Sequence, residues 1–123
     1  MKEIVTLSLV QLQGQLRFIH WQTYGYIQHK YIGKLFDKMN AFVDEFLETT
    51  YGKYGRPVFK PDFALSFQDL SVVDINNYVN QLADYITLLP EQLDAVKDAD
   101  LITLLNAFLV EINHTKYFLS LTK

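Results

Sequence analysis

The sequence predicts an all-α protein built as a bundle of four helices. Apolar residues recur at helical spacing in four separate stretches, and no stretch shows the apolar–polar alternation typical of a β-strand. Half of the residues are hydrophobic and 15% are aromatic, which is far too apolar for a disordered chain. A chain of 123 residues has room for one core, so we expect residues 1–123 to form a single domain.

The first two helices are predicted at about residues 3–24 and 27–50, with a corner at Gly25. The first helix has two apolar sides: Val5, Leu9, Leu12, Leu16 and Ile19 on one, and Ile4, Leu7, Phe18 and Trp21 on another. A helix with two apolar sides packs on two neighbours, and one of these can belong to another subunit. We therefore expect a homo-oligomer. The apolar arc of the second helix comprises Tyr31, Leu35, Met39, Phe42, Phe46 and Leu47.

The second half of the chain supplies the other two helices. Two glycines and two prolines in YGKYGRPVFKPDF, residues 51–63, predict a long connection without helix. Ser71 and Asp74 resemble a capping box, so the third helix is predicted at residues 71–89. The last helix is predicted at residues 98–121.

Composition and charge exclude several classes of function. The net charge is −3 and there is no run of Lys and Arg, so nucleic-acid binding is not expected. No apolar run approaches the roughly 20 residues that span a bilayer, so we expect no membrane insertion. The start of the chain is interrupted by Glu3 and lacks a small-residue cleavage site, so we expect a cytoplasmic protein. Without cysteine, neither a thiolate metal site nor a cysteine nucleophile can form.

Four residues are candidate metal ligands: His20, His29, Asp44 and Glu48. Asp44 and Glu48 lie one helical turn apart, opposite the apolar arc, and a cation would relieve their repulsion. Carboxylates opposite an apolar arc are more often part of a solvated face, and lysines are interspersed here. Because these carboxylates cannot face their own core, any further ligands would come from a neighbouring subunit. His20 can be a ligand or a buried histidine that bonds a backbone carbonyl.

The stretch IHWQTYGYIQHKYIGKLFDKMNAFVDEFLE resembles the Dps-type miniferritins. The family pattern is His-Trp, a second His, and then Asp-x-x-x-Glu, found here as His20-Trp21, His29, Asp44 and Glu48. HWQT, HK, YGKYGRP and EINHTKYFLSL are also similar to small ferritin-like proteins of tailed phages, over most of the chain. The resemblance implies a ferritin-like four-helix bundle and an iron site shared between subunits. The two histidines would come from one subunit and the acidic pair from the other, and this donor set suits iron or zinc.

Two functional hypotheses follow. The first is a Dps-like metal-binding oligomer, for which the resemblance also implies iron oxidation. The second is a phage-encoded, non-catalytic bundle without metal, acting in the virion or on an unidentified protein partner in the host cytoplasm. Gly33 favours the second, because Dps proteins carry a carboxylate at that position. Glu111 and His114 have the spacing of a di-iron helix, but a second such pair is missing, so we interpret them as surface residues.

Overall fold

The computed structural model describes residues 2–121, and in this range the chain forms four α-helices. They are α1 (Lys2–Gln22), α2 (Tyr26–Tyr54), α3 (Ile75–Leu88) and α4 (Ala99–Leu119). No strand occurs in these residues. The prediction of an all-α bundle of four helices is therefore confirmed, as is the break near Gly25.

The first two helices differ from prediction at their carboxyl ends. α1 stops at Gln22 rather than at residue 24, and the Thr23 hydroxyl then donates to the His20 carbonyl at 3.0 Å. α2 continues four residues past the predicted end to Tyr54. It stops at Gly55, whose φ of 84° is accessible to glycine at little cost and whose N–H bonds to the Tyr51 carbonyl.

The third helix begins later than predicted. Asp74 is the N-cap of α3 and its carboxylate accepts from the Asn77 N–H at 3.0 Å. Ser71 belongs to a separate 3-10 turn, Leu70–Val72, so the predicted capping box was wrong. A second 3-10 turn, Leu89–Gln92, follows α3 and contains the proline that prevents the helix from continuing.

Contacts along the helices define their directions. Lys2 of α1 donates to the Tyr54 carbonyl of α2 at 2.6 Å, and the far end of α1 packs near the start of α2, so this pair is antiparallel. α2 and α4 are antiparallel because Tyr31 stacks on Phe118 and Phe42 on Phe108.

The third helix runs in the same direction as the second. Tyr78 of α3 donates to the Leu12 carbonyl of α1, and the later Tyr85 lies beside the earlier Ser8, so α1 and α3 are antiparallel. Because α1 is antiparallel to both α2 and α3, the connection between those two, residues 55–74, must travel the length of the bundle. We call residues 55–69 the crossover.

The core lies between all four helices. Its most completely buried side chains are Leu9, Leu16, Ile19, Ile32, Leu35, Met39, Phe46, Leu82, Ile86, Leu101, Leu105 and Ile112. Within the described chain, no helix combines the length and the apolar character that crossing a membrane requires.

Candidate metal site at the α1–α2 corner

Two histidines from different helices meet where the chain turns from α1 into α2. His20 lies in the last turn of α1 and His29 in the first turn of α2. Their imidazole rings stack with centroids 4.4 Å apart and planes inclined by 17°. The structure therefore brings together the two histidines that the sequence singled out.

The His29 ring is oriented by the end of α1. Its Nδ1 lies 3.2 Å from the His20 carbonyl oxygen and 3.2 Å from the Thr23 hydroxyl. Because a carbonyl can only accept, a hydrogen bond between them requires the proton on Nδ1, and in that neutral tautomer Nε2 keeps its lone pair. A histidine held in this way through its other nitrogen is the usual arrangement of a metal ligand. Thr23 was not identified from the sequence, although a threonine directly after a helix end is a common hydrogen-bonding position.

The His20 ring is packed against the backbone of α2 at Gly33. A Cβ atom at position 33 would lie 2.7 Å from His20 Cε1 and 3.0 Å from its Nδ1. That Nδ1 is buried and has no hydrogen-bond partner. Gly33 is therefore required for the packing of His20, and a carboxylate side chain at this position would displace the ring.

The two carboxylates do not join the histidines within one chain. Asp44 and Glu48 are exposed on α2, as is Asp37. Asp44 lies fifteen residues beyond His29, roughly 22 Å along the helix. Among the residues that the structure describes, no group of three or more histidines and carboxylates is close enough to hold a metal ion.

The donor types fit iron or zinc, but the ring geometry must change for both imidazoles to bind one ion. A ring nitrogen directs its lone pair in the plane of its ring, and two nearly parallel stacked planes do not meet at a common ion. His29 is exposed and can turn, whereas His20 is confined between Gly33 and His29.

The second histidine–carboxylate pair lies elsewhere. Glu111 is half-buried and His114 is exposed on α4, and both line a cavity of about 420 Å³ between α2 and α4. Asp37 lines the same cavity. These three residues do not converge into a metal site.

Comparison with known families covers most of the chain. A family model described as a family of unknown function (DUF5856) matches residues 20–119. The chain belongs to this family. The match begins at His20 and includes the corner, α2, the crossover, α3 and α4. No curated protein and no solved structure matches the chain. The family description assigns no activity.

Proposed function

We propose that the protein is a ferritin-like, homo-oligomeric metal-binding protein, with a site for iron or zinc shared between two copies. His20 and His29 of one copy would supply the imidazole ligands. Asp44 and Glu48 of a second copy would supply the carboxylates. This donor set suits either metal.

The observation that carries this proposal is the histidine pair. His20 and His29 come from separate helices and lie in contact, and the exposed His29 ring is engaged through Nδ1, so Nε2 is the nitrogen that would bind a cation. His20 Nδ1 is buried without a partner, which is costly for a polar atom.

The connectivity of the helices supports the ferritin-like assignment. A four-helix bundle with short loops at both pairs of helices and one long crossover between them is the arrangement of ferritin-like folds. Here the crossover lies between α2 and α3, and the other two connections, residues 23–25 and 89–98, are shorter.

The need for a second copy follows from the position of the carboxylates. Asp44 and Glu48 face solvent and make no hydrogen bond or ion pair with the described part of their own chain. Trp21, next to His20, is 62% exposed and Tyr24 is fully exposed. Large exposed aromatic side chains are typical of protein interfaces, so contact between copies at this corner would bury them.

We propose binding rather than iron oxidation. The resemblance to Dps proteins leads us to expect a carboxylate at position 33, and the packing of His20 on Gly33 leaves no room for one. Ferroxidase activity would need an additional ligand from the second copy.

Metal titration of variants tests the site. Metal-free protein is titrated with Zn²⁺, and anaerobically with Fe²⁺, by calorimetry. We expect the double variants His20→Ala/His29→Ala and Asp44→Asn/Glu48→Gln each to lower affinity at least about tenfold. The control Asp37→Asn/Glu45→Gln removes two exposed charges from the same helix and should bind normally. Equal binding by all four proteins contradicts the proposal.

Mixing the two defective variants tests whether the site is shared. The His20→Ala/His29→Ala chain retains both carboxylates, and the Asp44→Asn/Glu48→Gln chain retains both histidines. If the site forms between copies, co-refolded mixtures regain metal binding at mixed interfaces. A site within one chain gives no recovery, and a monomeric mass by light scattering removes the mechanism altogether.

A metal-free structural or interaction module is the second candidate. The near-parallel stacking of the two imidazoles favours it, because this geometry explains both histidines as packing residues. In that case the purified protein holds no stoichiometric metal. The histidine variants then change only the stability of the α1–α2 corner, and calorimetric titration with metal shows no heat of binding for any of the proteins.

A further inference from the structure

The end of the crossover is bound to α1 through its main chain. Gln15 accepts from the Gln68 N–H at 2.7 Å and donates to the Gln68 carbonyl at 2.9 Å. Gln11 makes the same pair of bonds to Ser66, accepting from its N–H at 3.1 Å and donating to its carbonyl. The two side-chain amides thus offer the extended segment the same donors and acceptors that the edge of a neighbouring β-strand would offer.

A single aromatic side chain between these two residues enters a gap in α1. Phe67 packs on Gly14, where a Cβ atom would lie 2.5 Å from Phe67 Cε1. The Phe67 ring also contacts Phe18, with centroids 5.3 Å apart. The absence of a side chain at Gly14 therefore gives the ring a shallow pocket, in which it stays 40% exposed, and Gln11 and Gln15 hold the chain on either side of it.

The part of the crossover before this anchor is held loosely. Residues 56–65 make no hydrogen bond or ion pair with any other described residue. Phe59 and Phe63 stack only on each other, and Val58 is 87% exposed. Gln22 fixes the chain on the other side of the anchor, because it donates to Asp69 and accepts from the Leu70 N–H at 2.9 Å. Release of residues 66–68 is therefore a local opening that begins in residues 56–65, where no hydrogen bond has to break.

We propose that Gln11, Gly14 and Gln15 form a peptide-binding surface that the chain's own residues 66–68 close. Its ligand is an extended segment of another protein with an aromatic residue at the Phe67 position. Main-chain recognition accepts many sequences, and the pocket at Gly14 selects the aromatic residue. Proline is excluded at the positions of Ser66 and Gln68, because each must donate a backbone N–H.

A peptide with the sequence of residues 64–71, ALSFQDLS, is the probe. Its fluorescein-labelled form is titrated with full-length protein and followed by fluorescence anisotropy. The wild-type surface is occupied by Phe67, so we expect the Phe67→Ala variant to bind the peptide about tenfold more tightly. Peptides with alanine in place of the phenylalanine, or proline in place of the glutamine, should lose binding.

A second variant separates peptide recognition from loss of folding. Gly14→Leu/Phe67→Ala fills the pocket but removes the ring that would clash with it, and leucine favours a helix. We expect helical circular dichroism close to that of Phe67→Ala and no binding of the peptide. Binding retained by this folded double variant overturns the proposal, as does absence of binding to Phe67→Ala.

The mass of the protein in solution shows whether residues 66–68 bind the surface of their own chain or that of a second copy. If residues 66–68 close the surface of their own chain, Phe67→Ala leaves the mass of the protein unchanged. A lower mass for Phe67→Ala would show that the segment comes from a second copy, and would overturn closure within one chain.

Discussion

Replacement of Gly33 by alanine tests the packing at the α1–α2 corner. Gly33 lies in the interior of α2 and does not have a positive φ, so alanine fits the backbone. The added methyl group would lie 2.7 Å from His20 Cε1, well inside van der Waals contact. The ring must move, and its stack on His29 is then lost.

The change in the free energy of unfolding is the difference between a gain in helix propensity and a loss of ring packing, and these two contributions are of similar size. Alanine in place of glycine stabilises a helix interior by about 1 kcal/mol. Loss of the ring stack costs about 0.5–1.5 kcal/mol, and the loss of ring burial adds to that cost. We therefore expect Gly33→Ala to destabilise the wild-type protein by about 0.5–1 kcal/mol. In a His20→Ala background no ring opposes the methyl group, so the same change should stabilise by about 1 kcal/mol.

A double-mutant cycle in urea measures this coupling. The four proteins are wild type, His20→Ala, Gly33→Ala and the double variant, and we expect a coupling free energy of about 1.5–2 kcal/mol. Gly52→Ala is the matched control, because it lies in the same helix with no atom within 4 Å of the added Cβ, and it should stabilise by up to about 1 kcal/mol. Additive effects of His20→Ala and Gly33→Ala would refute the proposed contact.

Three further predictions concern the core and the pH dependence of stability. Phe108→Ala should cost about 3–5 kcal/mol in urea unfolding, because the residue is buried in the α2–α4 contact, and a loss below 1 kcal/mol would contradict that packing. Tyr78→Phe removes a hydrogen bond to Leu12 and should cost about 1 kcal/mol at neutral pH. Burial raises the pKa of Tyr78, so wild-type stability is retained below pH 10 and falls as the pH rises further, and the variant should show a smaller fall. The hydrogen bond from Tyr54, followed by the Asp94 N–H, lowers the pKa of Asp98, so this carboxylate stabilises the fold above its ordinary pKa of 3.8 and loses that effect as acid protonates it. Asp98→Asn should therefore be less stable than wild type at pH 7, and the difference in melting temperature should shrink below pH 4, whereas a constant difference would contradict this role.

Helix number and order were predictable from the sequence, because each helix buries an apolar stripe whose spacing is visible in the residues themselves. The ends were less predictable. α2 continues through Tyr51–Tyr54, although the run of glycines and prolines suggested a loop, because its last turn packs against Lys2 and caps at Gly55. α3 begins at Ile75 because Asp74 caps it, whereas Asp69 caps the separate 3-10 turn before it, a distinction that propensity alone does not make.

The sequence by itself determined which candidate metal-binding groups the chain contains: imidazoles at positions 20 and 29, carboxylates at positions 44 and 48, and no thiolate. Only the tertiary structure decided which of these groups meet. The turn at Gly25 stacks the two histidines, whereas the straight axis of α2 carries the carboxylates away from them. The role of Gly33 was also decided in three dimensions. In the sequence, Gly33 stands out only by comparison with the Dps pattern, whereas in the fold the His20 ring packs against it. The sequence could not show this contact, because contact between helices depends on distance in space and not on spacing along one chain.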